Sequence, residues 1–133
     1  MEREAVLERI DAAYKARIEG DKAALAEMGA PGARLAIAGD HRLLTGYMGG
    51  PGAFAETAAA LIDQVRFHDA ERIDAVVEGR RAAVLWRATL SVADDAPYET
   101  ELFDLWELDG EGKLLSLVQF VDTAKLREAL GRA

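Results

Sequence analysis

The first half of the chain carries apolar residues at helical spacing. Over residues 2–18 they recur every three or four positions, which predicts an amphipathic helix. The members of this stripe are Val6, Leu7, Ile10, Ala13, Tyr14 and Ile18. Gly20 is a C-terminal stop and Asp21 an N-cap, so a short second helix is expected over 22–28. A third helix is predicted at about 53–65.

The second half changes to the two-residue alternation of β-strands. Strands are predicted at 72–78, 82–93, 98–108 and 114–121, after an isolated short strand at 34–38. Glycine- and aspartate-rich turns separate the last four strands, and such short connections make them antiparallel neighbours. A final helical segment is expected over 123–130.

Helices followed by a meandering sheet indicate an α+β fold. At 133 residues the chain fits one domain spanning 1–133. We expect three N-terminal helices packed on a curved antiparallel sheet, forming a cystatin-like cone that encloses a pocket.

The alternation also predicts which side chains point into this cone. Even positions of 84–92 are apolar and odd ones are more polar, so the even face is the inner one. Matching the next strand to it places Leu102, Asp104, Trp106 and Leu108 inside. A four-residue turn pairing Leu108 with Lys113 would then place Leu115, Leu117, Gln119 and Val121 inside as well.

Asp104 is the most informative residue, because it lies in the apolar run Leu102-Phe103-Asp104-Leu105-Trp106. A buried, unpaired carboxylate is costly, so such a group usually has a partner, a shifted pKa or a chemical role. An apolar wall raises the pKa of a carboxyl, which brings proton transfer near neutral pH within reach. The alternative is a structural carboxylate bonded to a tyrosine, to Gln119 or to water.

Several other residues are candidates for the pocket. Tyr14 is expected to donate a hydrogen bond inside the cone, the alternative being an amphipathic core tyrosine. Trp86 and Trp106 are predicted to shape the cavity or simply to pack the core, and Leu117 and Gln119 to line it. Tyr47, in the glycine-rich segment 45–52, is a candidate lid residue or part of a plain connector.

The opposite face of the sheet is also apolar. Phe103, Leu105, Val118 and Phe120 are predicted to lie there. So much apolar area on an outer face suggests a homodimer formed through the sheet. The alternative is that the C-terminal segment covers it.

Charge and composition exclude several function classes. The 16 basic and 24 acidic residues give a net charge of −8, which argues against nucleic acid or an anionic membrane as the main partner. The chain has no cysteine, which excludes disulfides and thiolate chemistry. It begins without a signal-peptide pattern and has no apolar stretch near ~20 residues, so a cytoplasmic location is expected.

Metal and cofactor signals are weak. His41 follows Asp40 and could form an acid/base dyad with it, or lie solvated in a loop. Two histidines 27 positions apart, His41 and His68, do not match a metal-ligand spacing. The glycine-rich segment lacks a phosphate-binding pattern. We therefore expect neither a metal nor a cofactor.

The chain resembles the nuclear transport factor 2-like superfamily in three features. These are the order of its elements, the segment Gly50-Pro51-Gly52-Ala53-Phe54 before the third helix, and the segment Asp104-Leu105-Trp106-Glu107-Leu108-Asp109-Gly110-Glu111-Gly112-Lys113. The pattern is most similar to the SnoaL-like polyketide cyclases and the ketosteroid isomerases, over nearly the whole chain. The resemblance specifies the fold more than the reaction, because this fold hosts isomerases, cyclases, dehydratases, epoxide hydrolases and binding modules.

The resemblance implies a role for Asp104, which falls at the oxyanion-hole aspartate of the isomerases and at the acid/base aspartate of the cyclases. The isomerases' base aspartate is replaced by Ile37, with Asp40 the nearest acid, and their tyrosine falls at Ala13, one place from Tyr14. A steroid isomerase is therefore not expected.

Two functions follow for a cone that binds a small hydrophobic molecule. The first is a cofactor-free isomerase, cyclase or dehydratase that uses Asp104 as acid/base with Tyr14. The second is a non-catalytic ligand-binding or dimerisation module.

Overall fold

The computed structural model describes residues 1–38, 54–92 and 94–129. Its elements are α1 (Arg3–Glu19), α2 (Lys22–Glu27), β1 (Gly29–Ile37), α3 (Phe54–Gln64), β2 (Val65–Glu78), β3 (Arg81–Val92), β4 (Tyr98–Leu108), β5 (Leu114–Phe120) and α4 (Thr123–Ala129). The predicted helices and strands are all present. Two strands are longer than expected: β1 begins at Gly29 and β2 at Val65.

The junction of α1 and α2 is made by the predicted residues. Gly20 adopts the left-handed conformation (φ 70°), and its N–H is bonded to carbonyls of the last turn of α1. The Asp21 carboxylate accepts a hydrogen bond from the Ala24 N–H at 3.0 Å. This tight corner lets both helices cover the same side of the sheet.

The five strands form one sheet in the order β1-β5-β4-β3-β2. Strands β2 to β5 pair antiparallel, as predicted from their short connections. The sheet as a whole is mixed, because β1 pairs parallel with β5, so the expectation of an all-antiparallel sheet is wrong. Helix α3 and strands β2 to β4 lie between β1 and β5 in the chain, and this separation allows the parallel pairing, which a short turn would forbid.

The predicted inner face of β3 and β4 is confirmed. The even positions of both strands from 84 to 108 that were assigned to the core are buried, whereas Glu99, Glu101 and Glu107 are exposed. The core lies between this face and the helices, with α1 against β2 and α3 against β1 and β2.

The predicted register of the last hairpin is wrong by one residue at its turn. Leu108 pairs with Leu114 rather than Lys113, and Glu107 pairs with Ser116, so Leu115 is the extra residue of a β-bulge. Leu114 is therefore buried where Leu115 was expected. Beyond the bulge the predicted faces hold, and both Leu117 and Gln119 are buried.

The turn itself explains the shift. Asp109 donates its N–H to the Lys113 carbonyl, and its carboxylate accepts from the N–H groups of Glu111 and Lys113 at 2.8 and 2.9 Å. Gly112 takes a positive φ of 81°. This aspartate-centred turn closes one residue later than a simple four-residue count, and the bulge restores the alternation.

Candidate functional site

Asp104 lies at the centre of the inner wall of the sheet. On β4 it is flanked by Val84 of β3 and Gln119 of β5. Its side chain has no exposed surface. A carboxylate in this position needs hydrogen bonds to compensate for lost hydration.

Three donors supply those bonds. The Tyr14 hydroxyl donates to Oδ2 of Asp104 at 2.6 Å, and the Trp106 indole N–H donates to the same oxygen at 3.2 Å. The Gln119 amide donates to Oδ1 at 3.1 Å and also to the Tyr14 hydroxyl at 3.1 Å. We call Tyr14, Asp104 and Gln119 the polar triad. It joins α1, β4 and β5 through the core.

Opposing effects set the protonation of Asp104. Burial raises the pKa of its carboxyl from 3.8 to about 6, while the hydrogen bonds from Tyr14, Gln119 and Trp106 and the charge of Arg17 each hold the pKa down. Desolvation therefore prevails. Burial and the neighbouring Asp104 raise the pKa of Tyr14 well above its usual value, so the hydroxyl keeps its proton.

The ring of Tyr14 is held from behind by aromatic packing. It stacks on Trp86 with a centroid distance of 3.7 Å and an interplanar angle of 17°, and it contacts Phe67 at a tilt. Such packing fixes the ring and hence the direction of the hydroxyl.

A cavity of about 300 Å³ opens beside the triad, between α1, α2, the start of α3 and strands β4 and β5. Its inner lining includes Tyr14, Arg17, Leu35, Phe54, Trp106, Leu117 and Gln119. Charged side chains of Arg9, Glu27 and Lys113 also belong to the lining. The volume lies at the lower end of the range for small-molecule sites.

Arg17 is a buried residue of the candidate site that the sequence pattern did not predict. It is only 8% exposed, and its guanidinium lies 4.1 Å from the centroid of the Phe67 ring. Burial lowers the pKa of Arg17 below its usual value, and the Tyr14 and Asp104 charges oppose this. Its burial could have been predicted from its position in the sequence: Arg17 comes three residues after Tyr14 and seven after Ile10, which places it on the buried stripe of α1. The predicted stripe member Ile18 is only partly buried.

The structure thus brings together most of the predicted site residues. Tyr14, Trp106, Leu117 and Gln119 line the cavity. Asp104 lies one layer behind them and is not among the described lining residues. Trp86 lies behind Tyr14 and faces a surface groove between α1 and β2, so its contact with a ligand stays a prediction. Tyr47, Asp40 and His41 fall outside the described residues.

The family tyrosine was placed at Ala13, one position before Tyr14. Tyr14, not Ala13, reaches the carboxylate of Asp104. Ile37 is an apolar core residue at the end of β1, so it supplies no acid there.

Chemically, the triad can pass a proton to the cavity. When Asp104 is ionised, the Tyr14 proton points at it, and the phenol oxygen faces the cavity only as an acceptor. When Asp104 is protonated, it can donate to Tyr14, and the Tyr14 O–H becomes free to donate to a ligand oxygen. The charge of one buried carboxyl therefore decides whether the cavity wall is a donor or an acceptor.

No group of three or more His, Asp or Glu side chains positioned to hold a metal occurs within 1–38, 54–92 and 94–129. In the same ranges, no helix combines the length and apolarity needed to span a membrane.

Comparison with solved structures places this geometry in a known fold. An NTF2-like protein of unknown function from Burkholderia pseudomallei superimposes with a TM-score of 0.75 at 14% identity, covering 95% of this chain and 97% of that one. The chain has the nuclear transport factor 2-like fold.

Two further structures with this fold match over almost the full chain. A candidate isomerase from Rhodopseudomonas palustris matches with a TM-score of 0.78 and 23% identity, covering 99% of this chain and 100% of that one. An epoxide hydrolase from M. tuberculosis matches with a TM-score of 0.72 and 12% identity, covering 96% and 90% respectively. No protein-family model matches the chain, and no curated protein matches it in sequence.

Proposed function

We propose that this protein binds a small hydrophobic molecule in its cone and acts on it as a cofactor-free acid–base enzyme of the isomerase, cyclase or dehydratase kind. The observation that carries the proposal is the 2.6 Å hydrogen bond from Tyr14 to a carboxyl with no exposed surface, beside a mainly apolar cavity. Asp104 is the proton reservoir, and Tyr14 is the group that touches the ligand.

The proposed step moves one proton along the pair. Tyr14 transfers its phenolic proton to a carbonyl or hydroxyl oxygen of the ligand while the protonated Asp104 passes its own proton to the phenol oxygen. Asp104 is left ionised, bonded to Gln119 and Trp106. For an enolisable ketone, water takes the α-proton as the carbonyl oxygen is protonated, which gives the enol. The reverse transfer, with a solvent proton returned to carbon and the oxygen's proton returned to Tyr14, restores the starting state. A pKa of about 6 suits this exchange, because both protonation states of Asp104 are accessible near neutral pH.

The second candidate is a non-catalytic ligand-binding module with the same cavity. One observation favours it: Asp104 is separated from the cavity by the side chains that bond it, and the one carboxylate among the described lining residues is that of Glu27. In that case the triad would serve to fix a polar ligand group, without proton transfer.

Deuterium exchange separates the two candidates. We expect the wild-type protein to accelerate loss of the α-proton NMR signal of 2-tetralone, an apolar enolisable ketone, in D₂O. Asp104→Asn and Tyr14→Phe should each reduce this acceleration by roughly 10²- to 10⁴-fold, the usual contribution of a positioned acid or base. Asp69→Asn, at an exposed carboxylate of β2, is the matched control and should leave it unchanged.

Binding is followed in parallel by tryptophan fluorescence. If 2-tetralone binds and both variants exchange it as fast as the wild type, the acid–base proposal fails and the binding module is favoured. Rescue by Asp104→Glu, which restores a carboxyl, would distinguish a chemical role from simple loss of packing.

We also propose that the outer face of the sheet is covered by a second copy of the chain. Phe103, Leu105 and Phe120 are 43%, 37% and 47% exposed, and Phe103 and Phe120 contact each other edge-on. Helix α4 does not cover this face, because its Leu126 is buried on the inner side among Leu61, Val65 and Phe67. The sheet face is therefore the candidate homodimer interface.

A further inference from the structure

Arg17 carries a buried charge without a hydrogen-bonded counterion in the described part of the chain. Its Nε and Nη2 atoms are buried and lack a hydrogen-bond partner there. No salt bridge to Arg17 occurs among the described residues either; Asp104 and Tyr14 influence it only through space. A buried guanidinium is normally paired, because its desolvation is otherwise uncompensated.

The location of the Arg17 side chain indicates what could pair with it. Arg17 lines the main cavity and also a smaller one of about 20 Å³ beside Leu61, Phe67 and Leu126. One face of the guanidinium is covered by the ring of Phe67. A planar fork of donors held by an aromatic ring at a cavity wall is suited to a carboxylate, which guanidinium groups bind in two parallel hydrogen bonds.

The charges around the cavity also favour an anionic ligand. Among the described lining residues, three are basic, Arg9, Arg17 and Lys113, and one is acidic, Glu27, although the chain has a net charge of −8. Lys113 is fixed by donating to the Glu27 carbonyl at 2.7 Å. A locally positive cavity on an acidic protein favours entry of an anion.

We propose that Arg17 anchors a carboxylate, so that the ligand is a small aromatic or alicyclic acid carrying a second oxygen for Tyr14. Arg17 and Tyr14 are three positions apart on α1, which places their Cβ atoms roughly 5–6 Å apart on one face. An oxo- or hydroxycarboxylic acid with the two oxygen functions a few bonds apart meets both residues. The inference rests on the proposed function only in requiring that the cone holds an apolar ligand.

The test compares 2-naphthoate with its neutral amide, 2-naphthamide, by isothermal titration calorimetry. The two probes share shape and apolar area and differ in charge. We expect the wild type to prefer 2-naphthoate, and Arg17→Met to weaken 2-naphthoate at least roughly 30-fold while changing 2-naphthamide less than about threefold, because a buried charge-assisted bidentate pair is lost. Arg66→Met, at an exposed arginine of β2, should change neither affinity.

Arg17→Lys keeps the positive charge but lacks the planar pair of donors of a guanidinium. It replaces Arg17→Met in the test if the thermal melt of Arg17→Met shows that this variant does not fold. It should show an intermediate loss for 2-naphthoate alone. Equal binding of both probes by the wild type, or equal losses in the Arg17 variants, would overturn the carboxylate anchor while leaving the apolar cavity of the proposed function in place. Failure of the wild type to bind either probe would overturn both proposals.

Discussion

At the residue scale, Asp104 makes the stability of the protein depend on pH. Its pKa lies at about 6 in the folded state, against 3.8 for an ordinary aspartate. Between these values the folded state holds a proton that the unfolded state has lost. Raising the pH through this window therefore lowers the free energy of unfolding, and the loss is complete above the folded pKa.

We expect this effect to disappear in Asp104→Asn. The shift corresponds to about 3 kcal/mol, since one pKa unit is about 1.4 kcal/mol. The free energy of unfolding of the wild type, minus that of Asp104→Asn, should therefore fall by about 2.5 kcal/mol between pH 4 and pH 7.5, because an unfolded aspartate is already more than half ionised at pH 4. Urea denaturation at a series of pH values measures it. Parallel pH curves for the two proteins would show that the folded pKa is not raised.

The comparison also removes other ionisable groups from the measurement. Asp109, whose pKa is lowered by backbone N–H groups of the β4–β5 turn, contributes in the opposite direction. Because it is present in both proteins, its contribution cancels in the difference. A pH-independent loss of stability in Asp104→Asn adds to this pH-dependent difference, since an asparagine amide cannot accept from all three donors that surround the carboxylate.

At the scale of elements, the wall of the cavity depends on a close approach between β1 and α3. A Cβ added to Gly29 would lie 2.5 Å from Cδ2 of Phe54, a cavity-lining side chain. Any larger residue at 29 must therefore displace this phenylalanine ring. The position has no positive φ, so the constraint is space rather than backbone conformation.

Gly29→Ala should therefore destabilise the protein by about 1–3 kcal/mol, the usual cost of overpacking. It should also reduce ligand affinity, because Phe54 moves in the cavity wall. Gly110→Ala is the matched control: its Cβ would be 3.5 Å from an Arg80 side-chain nitrogen, an ordinary contact. Thermal melts and the 2-naphthamide titration measure both effects. Equal melting temperatures for the two variants would contradict the steric argument.

The elements also show what the sequence pattern could and could not predict. Strict two-residue alternation predicted the buried faces of β3 and β4, because a strand has only two faces. The bulge at Leu115 was not predicted, because it is determined by the hydrogen bonds of the Asp109 turn. The periodicity of apolar residues carries no information about those hydrogen bonds. The parallel pairing of β1 was missed because it joins segments distant in the chain.

Some residues of the candidate site could likewise be predicted from the sequence, and others could not. Asp104 was recognised because a carboxylate interrupts an apolar face, and Gln119 because it is a polar side chain on the predicted inner face of the last strand. Arg17 was missed because an arginine on an apolar stripe resembles an edge residue with its charge in solvent. Only the packing of Phe67 against its guanidinium shows that the charge is inside.

At the scale of the whole molecule, the outer sheet face predicts the oligomeric state. Stable interfaces bury about 1,200–2,000 Å² in total and need an apolar centre. The facing pairs Phe103–Phe120 and Leu105–Val118 supply that centre on two adjacent strands. A two-fold axis through this patch would bring the same residues of both copies together.

We expect sedimentation equilibrium to give twice the chain mass for the wild type, and the chain mass for Phe103→Lys combined with Phe120→Lys. Each lysine would place a charge in the apolar centre of the interface. Glu8→Lys is the control: it changes an exposed residue of α1, a helix on the inner side of the sheet, and should remain dimeric. A monomeric wild type at all concentrations would refute the interface.

The chain contains two tryptophans, and both lie at the polar triad. The Trp106 indole donates to the Asp104 carboxylate, and Trp86 stacks on Tyr14, within electron-transfer and energy-transfer range of the phenol ring. All of the tryptophan fluorescence of the protein therefore comes from indoles next to Tyr14 and Asp104. The molecule has an intrinsic optical reporter of its own site, with no emission from tryptophan elsewhere to dilute the signal.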